Sequence, residues 1–246
     1  LNMTSESDRL IARFPKKTIL VVGDIMLDQF TGGEIYRNSP EAPVPVLKKQ
    51  SETFFLGGAA NVACNLSSLG AKVILCGFVG NDSRKDIIFR LMRSKRIIIR
   101  GIIISKNRPT TLKQRFICRG RHLLRFDDEL VHNFKREEEK GLLSAIRSNI
   151  ANSDAVILSD YNKGCFSPNI SKKIIALARK NNKKIFADFK PENKDLFKGV
   201  DIISPNMKEG REMTRLKTTN EIGRALVQSF DADVALTMAS KGIFCF

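Results

Sequence analysis

Carboxylates, amides and lysines recur in this sequence directly after short apolar runs. "TILVVGD" delivers Gly23-Asp24 and then Asp28. "KVILCGFVG" delivers Asn81-Asp82, "AVILSD" delivers Ser159-Asp160, and "KKIFADFK" delivers Asp188 with Lys190. "VDIISPN" ends on Asn206, with Glu209 shortly behind, and "DVALT" ends on Thr237. Such a set can accept from sugar hydroxyls, donate to phosphate or supply hard oxygen to a divalent cation. Asp, Asn and Ser behind a strand also cap the next helix, which accounts for each of them singly. Capping does not account for Lys163 and Lys190. A second group sits in "FFLGGAANVACNLSSLGA", where Gly57 and Gly58 precede a helical pattern and Asn61 falls in its first turn. Bare glycine backbone admits a ligand closely, and a helix start offers N–H groups. Asn61 can donate and accept toward a vicinal diol at once. A tight turn followed by a surface amide is the plainer reading of the same residues.

Other chemistries find little support. The five cysteines are scattered, never closer than Cys64 and Cys76, and show no metal or redox spacing. His122 and His132 are the only histidines, and neither belongs to an H-E-x-x-H pattern. A zinc enzyme or a histidine-based triad is not indicated.

The elements that must position these groups are strands alternating with amphipathic helices. The apolar runs are continuous, as in strands buried on both faces. Ala59, Val62, Ala63, Leu66 and Leu69 recur at helical spacing until Gly70 stops the helix. Ile87, Ile88, Leu91 and Met92 mark a second helix, and Ile170, Ile174 and Leu177, with Pro168 near the start, mark a third. A short helix follows Pro191 and a helical pair follows Asn206. "IIIRGIII" at 97–104 reads as one strand or two. This order predicts an α/β fold, a doubly wound, mostly parallel sheet with right-handed crossovers and helices on both faces. Ligands in such sheets bind outside the carboxyl ends of the strands, where the polar residues collect. Residues 30–56 and 108–126 break the rhythm with short alternating patterns and read as a small β element over one edge.

Composition sets the class. With 246 residues, 42% hydrophobic and 28% charged, one globular domain with a sizeable core is expected. No apolar run approaches the roughly 18–20 residues that span a bilayer. The stretch "LNMTSESDRLIARFPKK" has no apolar secretory core, so a cytoplasmic setting is the default expectation. The formal charge of +16 raises the question of nucleic acid. Basic residues are spread from Lys16 to Lys241 in the polar phases of helices, aromatic residues do not interleave with them, and Trp is absent. A solvated basic surface is the favoured reading, one that would also steer an anionic small substrate. Neither a nucleic-acid nor a membrane partner is expected.

"VVGDIMLDQF", "SPEAPVPV", "GGAANVACNLSSLGA", "ILSDYNKG" and "SPNMKE", in this order, resemble the ribokinase-type (PfkB) carbohydrate kinases from about residue 18 onward. "SPEAPVPV" and "SDYNKG" are similar to the heptose-kinase branch. The resemblance implies a ribokinase-like fold with a β lid, and ATP-dependent phosphorylation of D-glycero-β-D-manno-heptose 7-phosphate at the anomeric hydroxyl to the 1,7-bisphosphate. It implies that Asp28, Gly57, Gly58 and Asn61 hold the sugar, with Asp160 and Lys163 beside it. Arg115 and Arg125 would take the 7-phosphate. ATP would be bound by Lys190, Asn206, Glu209, Thr237 and Gly242, and Mg²⁺ by Asp188 and by Glu209 through water. The lid would serve as a homodimer contact. The family's base, an aspartate in a Gly-Ala-Gly-Asp turn, would fall beyond Phe246, so a single domain over 1–246 with the C-terminal part of the fold missing is expected. A catalytically inactive remnant that still binds sugar phosphate or dimerises is the alternative. "ADFK" also departs from the family's Asp-Pro-Lys, and the apolar "IFCF" is expected as an edge strand prone to aggregation.

Overall fold

Aliphatic runs become the strands of one long sheet, and polar alternating runs become a second, smaller one. The computed structural model describes residues 6–131 and 134–246; the first five residues of the N-terminal stretch, and His132, lie outside the described residues. Helix α1 (Glu6–Ile11) and a 3-10 turn at Phe14–Lys16 lead into β1 (Thr18–Gly23), whose last four residues are buried. Two long lid strands follow, β2 (Ile25–Asn38) and β3 (Pro45–Gly58). The chain returns to the body through α2 (Ala59–Ser68), β4 (Lys72–Gly80), α3 (Ser83–Ser94) and β5 (Ile98–Ser105). It enters the lid again as β6 (Thr111–Cys118) and β7 (Arg121–Asp128). The second half runs α4 (Arg136–Ile150), β8 (Ala155–Ser159), α5 (Pro168–Lys180), β9 (Lys184–Asp188) and a 3-10 segment at Pro191–Phe197. It ends with β10 (Ile202–Ile203), α6 (Met207–Thr214), α7 (Thr219–Phe230), β11 (Asp233–Thr237) and β12 (Ile243–Cys245).

The body sheet has the order β12-β11-β10-β9-β8-β1-β4-β5. Every pair is parallel except β11 with β12, where Leu236 faces Phe244. The chain builds outward from β1 to β5, then jumps back to β8 on the other side of β1. The switch point therefore lies between β1 and β8, where such sheets open a crevice at their carboxyl ends.

Alternate residues of β1 feed two cores. Leu20 and Val22 join α4, α5 and α7 through Leu142, Ile146, Ile170, Ile174 and Leu226. Val21 joins α2 and α3 through Ala59, Ala63, Ile88 and Met92. Helix α4 has no counterpart in the sequence reading above, although Leu142, Ile146 and Ile150 have helical spacing and Glu138 accepts from the Lys135 N–H at 2.9 Å. The expectation of helices on both faces holds around β1. Beyond β8, the described helices that pack on the sheet all belong to one core, and Phe186 on the other face is 36% exposed.

The lid is a four-stranded sheet in the order β3-β2-β6-β7. Its bounds exceed those expected. It starts at Ile25, which pairs with Gly58, and ends at Asp128, which pairs with Leu112. The β6–β7 hairpin turns through Arg119 and Gly120, with φ of 49° and 76°, the pattern of a two-residue turn matched to strand twist. The stretch 97–104 forms a single strand, and "IFCF" is paired to β11 on one side. Among the described residues, no helix is long and apolar enough to cross a membrane.

Candidate functional site

Three segments meet at the switch point: the end of β1, the turn from β3 into α2, and the loop after β8. Asp24 lies at the first and is 4% exposed. Its carboxylate accepts the backbone N–H groups of Tyr161, Lys163 and Cys165 at 2.8, 3.1 and 3.0 Å. Burial, and then the neighbouring Asp160, push its carboxyl up. Asp160 is also buried, and its carboxylate accepts from the Asn162 N–H at 2.9 Å and from the Asn193 amide at 2.8 Å.

The glycine pair occupies the end of β3, directly before α2. A Cβ on Gly57 would lie 2.6 Å from Asp28 Oδ2, so the missing side chain is what leaves that carboxylate room. Gly58 has φ 58° and ψ −136°, a conformation reserved for glycine. The first helical N–H, that of Ala59, donates to the Asp24 carbonyl at 2.8 Å, so it is not a free donor as the sequence suggested. Asn61 is exposed in the first turn of α2.

On the lid, Arg115 bonds Asp28 and lies 5.1 Å over the Phe30 ring. Arg125 is opposite Arg115 in register, so both side chains share a lid face; its guanidinium turns to Asp127 at 3.0 Å. Lys163 reaches Glu129 at 2.7 Å, and Glu129 also holds Lys113 at 3.2 Å. This carboxylate therefore ties lid to body. Burial alone would raise the Glu129 carboxyl, but the hydrogen bonds and charges of Lys163 and Lys113 outweigh it and the net shift is downward.

On the other side of the mouth, Asn206 and Glu209 form a reciprocal cap at the start of α6. The Asn206 N–H donates to Glu209, and the Glu209 N–H donates to the Asn206 side chain, both at 3.0 Å. The second Glu209 oxygen accepts from Lys190 at 2.7 Å. Burial opposes the Lys190 ammonium, but Glu209 and Asp188 more than offset it. Asp188 is pushed up to about 6 by burial first, then by Glu209 and Asp160, against the pull of Lys190. Thr237 bridges to Asn206, and its N–H donates to the Pro205 carbonyl at 2.9 Å. A groove of about 350 Å³ opens there, lined by Asn206, Lys208, Thr237 and Met238. Gly242 closes the 239–241 turn with φ 87°, and its carbonyl accepts from the N–H of Met238 at 2.8 Å.

Tyr161 lies between the two halves. The half-buried Tyr161 phenol feels Asp188 and Glu209 from the body and Asp28 from the lid root, and Lys190 lies 5.7 Å above its ring. No three of the His, Cys, Asp and Glu residues described form a protein-only metal cage. Asp188 and Glu209 instead offer hard carboxylate oxygen beside a lysine, the donor set that suits Mg²⁺ held mainly by water and phosphate. Phe189, where a proline was expected, is buried and stacks on Phe197 at 4.7 Å, so packing rather than a ring constraint fixes the backbone before Lys190. Tyr161, Asn193, Glu129 and Lys113 were not singled out from sequence. Tyr161 lies inside "SDYNKG" and could have been; the others carry no local signal.

A model of the "pfkB family carbohydrate kinase" matches residues 16–246. A protein of Helicobacter pylori named bifunctional protein HldE is 42% identical over 201 residues, covering 82% of this chain and 43% of its own length. The Wolinella succinogenes protein of the same name is 39% identical over 206 residues, covering 84% and 44%. The chain thus spans less than half the length of these relatives. Among solved structures, Arabidopsis thaliana ribokinase complexed with ribose and ATP superposes with a TM-score of 0.70 at 17% identity, covering 94% of this chain and 74% of that one. At that identity the likeness establishes the fold.

Proposed function

This chain belongs to the pfkB family of carbohydrate kinases, and from that premise we propose that its site takes a heptose 7-phosphate and directs the anomeric hydroxyl toward ATP. The observation that carries the reading is the pair of charged clusters, Lys190 on Glu209 at 2.7 Å and over the Tyr161 ring at 5.7 Å, and Arg115 bonded to Asp28 at the lid root. Asp28, given room by Gly57, accepts from sugar hydroxyls. Asn61 donates and accepts beside it. Arg115 and Arg125 offer guanidinium to the 7-phosphate, a match that lysine cannot make bidentately. Asp160 and Lys163 hold the loop that floors the sugar.

Mg-ATP, when bound, supplies the phosphoryl group and the neutralising charge for an in-line transfer. Lys190 faces its phosphates, Asn206, Thr237 and Gly242 frame the nucleotide loop, and Asp188 and Glu209 face the metal, Glu209 through water. The product would be the 1,7-bisphosphate. Such a nucleotide-dependent enzyme would work in the cytoplasm. The lid's exposed Tyr36, Phe55, Leu124 and Phe126 suit a homodimer contact.

Calorimetry with heptose 7-phosphate, run beside an assay of ADP release, tests this reading. Saturable binding is expected, with ADP released from ATP only when the sugar phosphate is present. No heat at millimolar sugar phosphate removes the heptose assignment.

A further inference from the structure

Asp24 is buried behind the residues assigned above to the sugar, and it joins the segments that carry them. Its carboxylate binds three alternate N–H groups of the 161–165 loop, as described. Its own N–H donates to the Ser159 carbonyl at 3.2 Å, and its carbonyl accepts from Ala59, the first residue of α2. Gly58 presses against the same carbonyl, where a Cβ would come within 2.3 Å. One residue at the sheet's switch point therefore fastens the loop bearing Tyr161 and Lys163 to the turn bearing Gly57, Gly58 and Asn61.

A buried carboxylate is a costly way to satisfy three backbone donors unless their placement matters. An amide of the same shape would turn an NH₂ toward at least one of these N–H groups, because only one of its two ends accepts. We infer that Asp24 is a positioning residue that locks the 161–165 loop to the Gly57–Ala59 turn and so sets the register of the two segments that frame the sugar. The ligand-binding part of this inference rests on the proposed heptose reading; the coupling between the two segments does not.

The full chain without ligand gives the first test, by hydrogen exchange measured on Asp24→Asn and Gly58→Ala. Asp24→Asn is expected to speed exchange at least tenfold in both 58–63 and 161–165, with the α5 and α7 segments unchanged. Gly58→Ala keeps the Asp24 carboxylate and strains the turn against the Asp24 carbonyl, so faster exchange at 161–165 in that variant reports coupling through Asp24, and it serves if Asp24→Asn fails to fold. Unchanged exchange at 161–165 in Gly58→Ala, or a uniform rise across the chain in Asp24→Asn, would overturn the inference. The second test is calorimetry with heptose 7-phosphate, comparing Asp24→Asn with a core variant such as Ile174→Val matched to it in melting temperature. At least tenfold weaker binding in Asp24→Asn alone is expected, and equal binding in both overturns the positioning role. Should the unaltered chain bind no heptose 7-phosphate, the proposed function fails and the exchange result decides this inference by itself.

Discussion

A methyl group at residue 57 would meet Asp28 Oδ2 at 2.6 Å and Met26 Cγ at 2.7 Å, so both side chains would have to shift. Gly57→Ala is therefore expected to cost about 1–3 kcal/mol of stability, the range for overpacking. It should also weaken sugar-phosphate binding by displacing Asp28; chemical denaturation and calorimetry on the variant would check both. Asp188 gives a pH prediction. Its carboxyl is held near 6 in the fold against an ordinary 3.8. A raised carboxyl favours the folded state most when protonated, so its contribution is complete below about pH 4 and disappears as pH rises through 6. Asp188→Asn removes that loss. The variant should match the parent near pH 4 and exceed it by ~2 kcal/mol at pH 7, read from denaturant midpoints at the two values. Equal differences at both pH values would contradict the assignment. Asp188, Lys190 and Glu209 were legible in sequence because each closes or follows an apolar strand. Asn193 and Glu129 were not, because their partners Asp160 and Lys163 lie 33 and 34 residues away and nothing local marks such a pairing.

At the scale of elements, the join between lid and body is the least regular part of the chain. Only Asp24 separates β1 from β2, so the chain changes sheet within one residue, and the apolar Ile25, Met26 and Leu27 show no alternation to mark a lid strand. That is why the lid begins five residues earlier than its alternating pattern suggested, at Ile25 rather than residue 30. On the far side, Glu129 holds Lys113 of the lid and Lys163 of the body, and Arg84 of α3 bonds Asp128. The Glu129 side chain and both lysines are 15–20% exposed, so solvent only partly weakens these pairs. Glu129→Ala should cost about 1–3 kcal/mol, mostly from leaving the part-buried Lys163 ammonium unmatched, since Lys113 keeps Asp127 at 2.9 Å. A double-mutant cycle with Lys163→Ala should return a coupling of about 1 kcal/mol, and faster release of sugar phosphate in stopped flow should accompany it. Coupling near zero would mean that the pair is incidental to holding the lid on the body.

For the molecule as a whole, the parallel sheet, its strand order around β1 and its polar rim follow from continuous apolar runs that each end in a side chain with chemistry. Which faces of those strands are covered does not follow. A run such as "KKIFAD" looks the same whether helices lie on one side or both. Parallel sheets are ordinarily buried on both faces. Here Phe186, Ile157 and Ala155 line an apolar groove of about 470 Å³ with Leu10, Phe14 and Leu66, while Ile243 and Phe244 at the β12 edge are 63% and 46% exposed. Apolar surface of this kind favours association. The charge of +16 opposes it, and salt screens that repulsion over roughly 10 Å at 0.1 M. The isolated chain should therefore self-associate more as salt rises, the reverse of an assembly held by opposite charges. Sedimentation velocity at low and high salt would show this, and Phe186→Ser should reduce the association at high salt. A single monomeric species at high salt would mean that the uncovered face does not drive association.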